Sequence, residues 1–277
     1  MFDASSEAAT EGVNLFDRMR PAYRKWAEPV TRVFARAVLE HADLSPGARV
    51  LDVCAGTGSL ALQAAENGLQ VTAIDNAPVT TAHLAEQLLP YPGCTAEVMD
   101  ALQMRWDEGQ FDAAFSVLGV IFLGPQVPTV LADMRRAVRP GGVIAVVHWA
   151  TPRGAPYFDI LAQASRDLDD PGIGTLEALL PGHLSREALQ EALSTAGLVD
   201  VHVEHLDTAG AVPAAESFLT ELETMFAVVP GFGDLTVGQR KRLNTAIVDA
   251  IRPIEEGNAP RPGFHANLAL GHVPAED

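Results

Sequence analysis

The chain has 277 residues, 48% of them hydrophobic, with 19 basic and 36 acidic side chains and a net charge of −17. That length and apolar fraction suffice to bury a sizeable core, while the acidic balance disfavours nonspecific binding to nucleic acid or another polyanion. Cys54 and Cys94 cannot make a disulfide framework and lack metal-ligand spacing, and there is neither a charged-then-apolar leader nor an apolar run of membrane-spanning length; a reduced, cytoplasmic protein with no metal site and no membrane role is expected.

Residues 1–12 are small and acidic and are expected to fray. From Pro21 to His41 the apolar residues Val30, Val33, Phe34, Ala37 and Val38 recur at helical spacing, and Ser45-Pro46-Gly47 predicts a turn after that helix. Val50 to Val53 reads as a buried central strand, with Leu60, Ala61 and Ala64 opening a helix packed back on it. The turn between them, Cys54-Ala55-Gly56-Thr57-Gly58, must bend sharply and let its backbone approach a ligand, which is where glycines belong. Such a strand, glycine turn and helix form a nucleotide cradle, which by itself also fits a nicotinamide or flavin dinucleotide. Asp52, inside the strand, narrows the choice: an anion there gains little beside a pyrophosphate but is tolerated by a ligand carrying a sulfonium and an ammonium group. The strand Val71 to Ile74 ends on Asp75, placed to accept hydrogen bonds from ribose hydroxyls.

A helix over about Val79 to Leu89 follows, then a short strand Thr95 to Met99 closing on Asp100-Ala101-Leu102. Next come a strand-like run Phe111 to Ile121, a helix Val127 to Val138, a turn Arg139-Pro140-Gly141-Gly142 and a strand Val143 to Trp149. This alternation predicts a doubly wound α/β sheet. After Trp149 the pattern loosens, and residues 151–182 hold a Pro/Gly-rich stretch. Ser185 caps a helix ending near Gly197, Val199 to Leu206 alternates as a strand, and Ala214 to Val228 and Thr236 to Ile251 read as helices parted by Pro230-Gly231-Phe232-Gly233. Phe264 to Val273 predicts a closing strand. The expected organisation is therefore an N-terminal helical cover (1–44), a core (45–206), a helical insertion or lid (207–262) and a closing strand (263–277). The apolar residues Phe218, Leu222, Met225, Phe226, Val228 and Val229 exceed one helix face and fit packing on the sheet, a homodimer face or a substrate pocket.

The order of these segments, with the glycine turn, Asp75 and Asp100, resembles the class I S-adenosylmethionine (SAM) methyltransferases, in particular the ubiquinone/menaquinone-biosynthesis and small-molecule branch. The resemblance covers residues 45–150 well and the whole chain more loosely. It implies a seven-stranded Rossmann-like sheet with N-terminal helices and a helical insertion before the last strand. It further implies SAM as cofactor and a small organic acceptor in cofactor or secondary metabolism. Carried over residue by residue, it puts Asp52, Ala55, Gly56, Thr57 and Gly58 at the methionine end of the cofactor, Asp75 and Asn76 at the ribose, and Asp100, Ala101 and Leu102 at the adenine. Ser116 and Val117 lie beside it at the end of the fourth strand. Tyr23 and Trp26 at the mouth of the first helix, and Trp149 and Tyr157 after strand five, are the nearby aromatics; in related proteins an N-terminal aromatic covers the cofactor, a role that falls to Tyr23, and an aromatic face stabilises a sulfonium, while ordinary core packing is the preferred reading for each. Cys54 and Ala55 stand where the family commonly has a glycine and a small polar residue.

Methyl transfer from a sulfonium is an in-line displacement, so alignment alone supplies on the order of 7 kcal/mol in favourable cases. A base is needed only for acceptors that must lose a proton. His148 is the catalytic candidate, because it ends the fifth strand where strand carboxyl ends face the ligand crevice; the alternative is a histidine simply hydrogen-bonded at a strand end. His183, His202, His205 and His265 are weaker candidates on the same grounds, and Cys54, with no paired base, reads as a small buried hydrophobe. Ser116-Val117-Leu118-Gly119 stands in place of an Asn/Asp-Pro-Pro-aromatic run, against an amino-methyltransferase of nucleobases or protein glutamine. The competing readings are a macromolecular methyltransferase, which should carry a basic groove, a non-catalytic SAM-binding regulatory protein, and a NAD(P)-dependent oxidoreductase, which Asp52 and the Arg-Pro-Gly-Gly turn disfavour.

Overall fold

The computed structural model describes residues 14–166, 168 and 183–275, so the expected fraying of residues 1–12 lies outside the described residues. Seven strands form one sheet in the order β3-β2-β1-β4-β5-β7-β6. They are β1 (Arg49–Val53), β2 (Gln70–Asp75), β3 (Thr95–Val98), β4 (Phe111–Val117), β5 (Val138–Trp149), β6 (Val199–Ala209) and β7 (Gly263–His272). All the pairs among β1 to β5 are parallel, while β7 runs antiparallel to both β5 and β6. The chain starts in the middle with β1, works outward to β3, then crosses back to lay β4 against the other side of β1. That reversal opens a crevice at the carboxyl ends of β1 and β4, where open α/β sheets bind ligands.

Both faces are covered. One carries α2 (Glu28–Ala42), α3 (Ala61–Glu66), α4 (Pro78–Leu88) and α6 (Pro156–Arg166), and the other α5 (Val127–Ala137) and α7 (Arg186–Thr195). The central strands answer with nearly continuous apolar runs, Val50, Leu51 and Val53 in β1 and Ile144 to Val147 in β5 being fully buried. Because side chains alternate across a strand, Ala145, Val147 and Trp149 join the α2 side while Ile144 and Val146 join the α5 side.

Several boundaries differ from the sequence expectation for identifiable reasons. The first helix is two, α1 (Leu15–Trp26) and α2, with the break at Ala27. Pro29 lacks the N–H that a continuous helix would have donated to Lys25. The fourth strand stops at Val117 rather than Ile121, since Leu118 takes a left-handed φ of 59° and Val120–Gln126 coils into a 3-10 turn. Within the Pro/Gly-rich stretch, to which the sequence pattern assigns no element, α6 forms with Pro156 at its first position and Tyr157, Leu161 and Ala164 buried on one face; residues 169–182 lie outside the described part. β6 continues to Ala209, past Leu206.

Between β6 and β7 the chain makes α8 (Phe218–Phe226) and α9 (Val237–Glu255), the latter opened by a Thr236–Gln239 capping box. Phe218, Phe226, Phe232 and Ile247 are buried there, each contributing about 1.5–3 kcal/mol on the usual area scale. β6 leaves, and β7 enters, at the same sheet end as the crevice, which brings α8 against α1. Lys25 Nζ donates to Glu221 Oε1 at 2.7 Å and Trp26 Nε1 to Glu221 Oε2 at 3.2 Å. Among the described residues no helix is long and apolar enough to cross a membrane.

Candidate functional site

The crevice at the ends of β1, β2 and β4 is a cleft of about 990 Å³, its open mouth included. Its floor is the β1–α3 loop, whose backbone is held in an unusual shape: Cys54, Gly56 and Gly58 all have positive φ, at 58°, 53° and 86°. Cys54 thus holds, as a non-glycine residue, the left-handed conformation for which glycine is the commoner choice. It fits because Gly119 faces it from the β4 side; a Cβ on Gly119 would lie 2.4 Å from Cys54 Cβ and 2.8 Å from its carbonyl oxygen. Burial first, and the neighbouring Asp75, Asp52 and Asp100, push the Cys54 thiol above the usual range, so it is not a thiolate nucleophile at neutral pH.

Two carboxylates organise the loop. Asp75 Oδ2 accepts the Gly56 amide at 2.8 Å and its Oδ1 accepts the Ala77 amide at 2.9 Å. Asp52, 2% exposed, accepts the Ala61 amide at 3.1 Å in the first turn of α3. Burial outweighs that bond and pushes the Asp52 carboxyl up to about 7; burial also raises Asp75, against the pull of the Ala77, Gly56 and Asn76 amides. On the far wall Asp100 Oδ1 accepts the Leu102 amide at 2.9 Å, which turns the chain into a short 3-10 segment, Ala101–Gln103.

Of the residues predicted from the sequence, Tyr23, Asp52, Ala55, Gly56, Thr57, Asp75, Asn76, Asp100, Ala101 and Val117 line the cleft. Gly58, Leu102 and Ser116 do not. Gly58 is buried behind the loop, where a Cβ would meet Leu84, and Ser116 faces inward, its Oγ accepting the Val120 amide at 3.3 Å. His148 is not in the cleft lining either. By strand parity it shares the α5 face with Ile144 and Val146, whereas α1 and α2 wall the cleft from the opposite face. The His148 side chain is fully buried, with its ring 5.6 Å from that of His183.

The tertiary structure adds residues that no motif marks. Phe16, Met19 and Arg20 reach the cleft from α1, Thr31 from α2, and Phe122 and Leu123 from the 3-10 turn after β4. Phe16 and Phe122 meet edge to face, centroids 5.4 Å apart, closing an apolar rim. Helix α1 is fixed over the cleft by Asp17, whose Oδ1 accepts the Thr80 amide and hydroxyl, each at 2.7 Å, and whose Oδ2 accepts the Val79 amide at 3.2 Å. These bonds satisfy the N-terminus of α4. Tyr23 shares a 3.0 Å hydrogen bond with Thr31, and burial pushes its phenol up to about 12, so it stays protonated. Thr57 Oγ1, Ser59 Oγ and Arg20 Nε are buried with no hydrogen-bond partner among the described residues, though all three residues line the cleft. Orphaned polar atoms around one cavity are what a polar ligand satisfies on binding.

A family model described as a methyltransferase domain matches residues 50–142. The chain is 30% identical over 223 residues to the nocamycin O-methyltransferase of Saccharothrix syringae, covering 74% of this chain and 78% of that protein. It is 30% identical to the 2-phytyl-1,4-naphtoquinone methyltransferase of Synechococcus elongatus over 56% of this chain and 68% of that one. It is 34% identical over 126 residues to the demethylmenaquinone methyltransferase of Beutenbergia cavernae, a match spanning 46% of this chain and 51% of that protein. Among solved structures the fold matches a Haemonchus contortus phosphoethanolamine N-methyltransferase bound to SAM, with a TM-score of 0.55, 20% identity and coverage of 87% and 52% of the two chains. It also matches the [4+2]-cyclase SpnF, with a TM-score of 0.54, 20% identity and coverage of 88% and 82%. The chain belongs to the class I S-adenosylmethionine-dependent methyltransferases, in their small-molecule branch.

Proposed function

We propose that the cleft holds SAM across the β1–α3 loop and passes its methyl group to a small, largely apolar organic acceptor seated against α1 and the turn after β4. The observation that carries this reading is the convergence on one cavity of Asp75 and Asp100 with polar atoms of Thr57, Ser59 and Arg20 that have no partner among the described residues. These groups fit the cofactor: Asp75 and Asn76 for the ribose hydroxyls, Asp100 and Ala101 for the adenine, and the loop with Arg20 for the amino-acid end and its carboxylate. When bound, SAM supplies an electrophilic methyl on a sulfonium. Asp52 and Tyr23 line the same cleft, and a carboxylate and an aromatic face both tolerate a cation.

The acceptor side is the rim of Phe16, Met19, Phe122 and Leu123, which suits a flat, weakly charged molecule better than a charged polymer. The quinone and nocamycin methyltransferases among the relatives support a small acceptor of that kind. In this reading the chain's residues align and desolvate the partners, a contribution of about 7 kcal/mol in favourable cases without any base. The enzyme belongs in the reducing cytoplasm, in keeping with its two unbridged cysteines, Cys54 and Cys94.

Calorimetric titration with SAM, S-adenosylhomocysteine and NADH tests the proposal. Micromolar binding of the first two, and none of NADH, is expected; a screen of hydroxylated aromatic and quinol acceptors with labelled SAM then identifies the substrate. Binding of NADH alone overturns the cofactor assignment.

A further inference from the structure

We propose that His205, Asp207 and His265 form a binding site for one divalent transition-metal ion, with Zn2+ as its reference ion, on the β6–β7 edge of the sheet. The antiparallel register sets Asp207 directly opposite His265, and His205 opposite Asn267. Positions 205 and 207 lie two apart on β6, so both side chains stand on the same face as His265. The ligand atoms of the three residues all lie within 4.8 Å of one another.

The chemistry fits a metal better than a chance surface pairing. One oxygen, Asp207 Oδ1, is approached by two imidazole nitrogens: His205 Nε2 at 3.0 Å, and His265 Nδ1 in a hydrogen bond. Ligands about 2.1 Å from a shared ion stand about 3.0 Å apart at right angles and about 3.4 Å apart at the tetrahedral angle. The three ligand atoms, none more than 4.8 Å from another, therefore stand close to the spacing that one ion requires. His205 Nδ1 lies 3.1 Å from Oδ1 of the buried Asn267. In the neutral ring that amide oxygen favours the proton on Nδ1, so that Nε2, which faces Asp207 Oδ1 here, gives up its proton when it takes an ion, the outer support that metal-binding histidines commonly have. Gly263 makes room for the ring of His265, since a Cβ there would lie 2.8 Å from His265 Nε2. Two imidazoles and one carboxylate, all exposed, leave further coordination positions to solvent and select zinc-like ions over magnesium or calcium, which prefer all-oxygen sites. An ion there would tie the edge strand β6 to β7 outside the residues that line the cleft.

Equilibrium dialysis of the untagged protein against Zn2+, with Mg2+ as control, tests the site. One equivalent of zinc at micromolar Kd and no retained magnesium are expected for the wild type. Asp207→Asn and His265→Gln should each lose at least about tenfold in zinc affinity, and Asn267→Ala about tenfold through the misdirected His205. S-adenosylhomocysteine affinity should be unchanged in all three. Equal zinc retention by the wild type and by the double variant His205→Gln/His265→Gln overturns the site and leaves a triad held only by protons.

Discussion

The carboxylate of Asp75 at the end of β2 accepts the amide of Gly56 in the β1–α3 loop at 2.8 Å, joining the two segments that form one side of the cleft. The same side chain caps the entry to α4 through Ala77. A residue assigned to the ribose thus also shapes the loop beside it. Asp75→Ala should weaken S-adenosylhomocysteine binding by about 1–3 kcal/mol and lower the melting temperature together. Calorimetry and a thermal melt on one preparation check both, and unchanged affinity removes the ribose assignment.

Arg20 reaches the cleft with its Nε buried and unpartnered among the described residues. If it pairs with the cofactor's amino-acid carboxylate, Arg20→Ala should weaken S-adenosylhomocysteine by about 1.5–3 kcal/mol. The same variant should bind 5′-methylthioadenosine, which lacks that carboxylate, as the wild type does. Equal losses for both ligands would assign Arg20 to general packing of α1 instead.

Asp52 makes stability depend on pH in a direction opposite to that of a salt-bridged acid. Its folded pKa is raised by burial from 3.8 to about 7. Between those values the folded chain holds a proton that the unfolded chain has released, so stability falls as pH rises through the window and levels off above it. Asp52→Asn should flatten that part of the slope. Urea unfolding of both proteins across the window reads the difference, and parallel pH profiles would contradict the buried-acid account.

His148 is buried, falls by strand parity on the face that Ile144 and Val146 turn to α5, and is not among the residues that line the cleft. His148→Asn is therefore expected to lower stability by about 1–3 kcal/mol while S-adenosylhomocysteine affinity and the turnover of the folded enzyme stay near wild type. Lost turnover with unchanged melting temperature and unchanged affinity would restore the role of base.

Much of this was legible because it rests on local rules. The apolar run Val50 to Val53, the glycines at 56 and 58 and the acids at 75 and 100 are read from neighbours within a few residues, and each lies where strand, turn and helix periodicity put it. Cys54 looked like a departure from pattern, and its left-handed φ together with the open space left by Gly119 explains how the departure is accommodated. What depends on distance along the chain was not legible. The His205, Asp207 and His265 cluster has no recognisable spacing, because its members meet only through the pairing of two strands separated by α8 and α9.

By itself, then, the sequence determined the alternating α/β order, the glycine turn between β1 and α3 and the acids at 52, 75 and 100, since backbone bonding and side-chain periodicity are decided locally. The tertiary structure alone decided that β7 runs antiparallel, that Asp17 fastens α1 above the cleft, that Arg20 enters it and that His148 turns away. Those outcomes depend on which face of a strand a side chain takes and which distant element packs there, and burial of the whole apolar surface settles both at once.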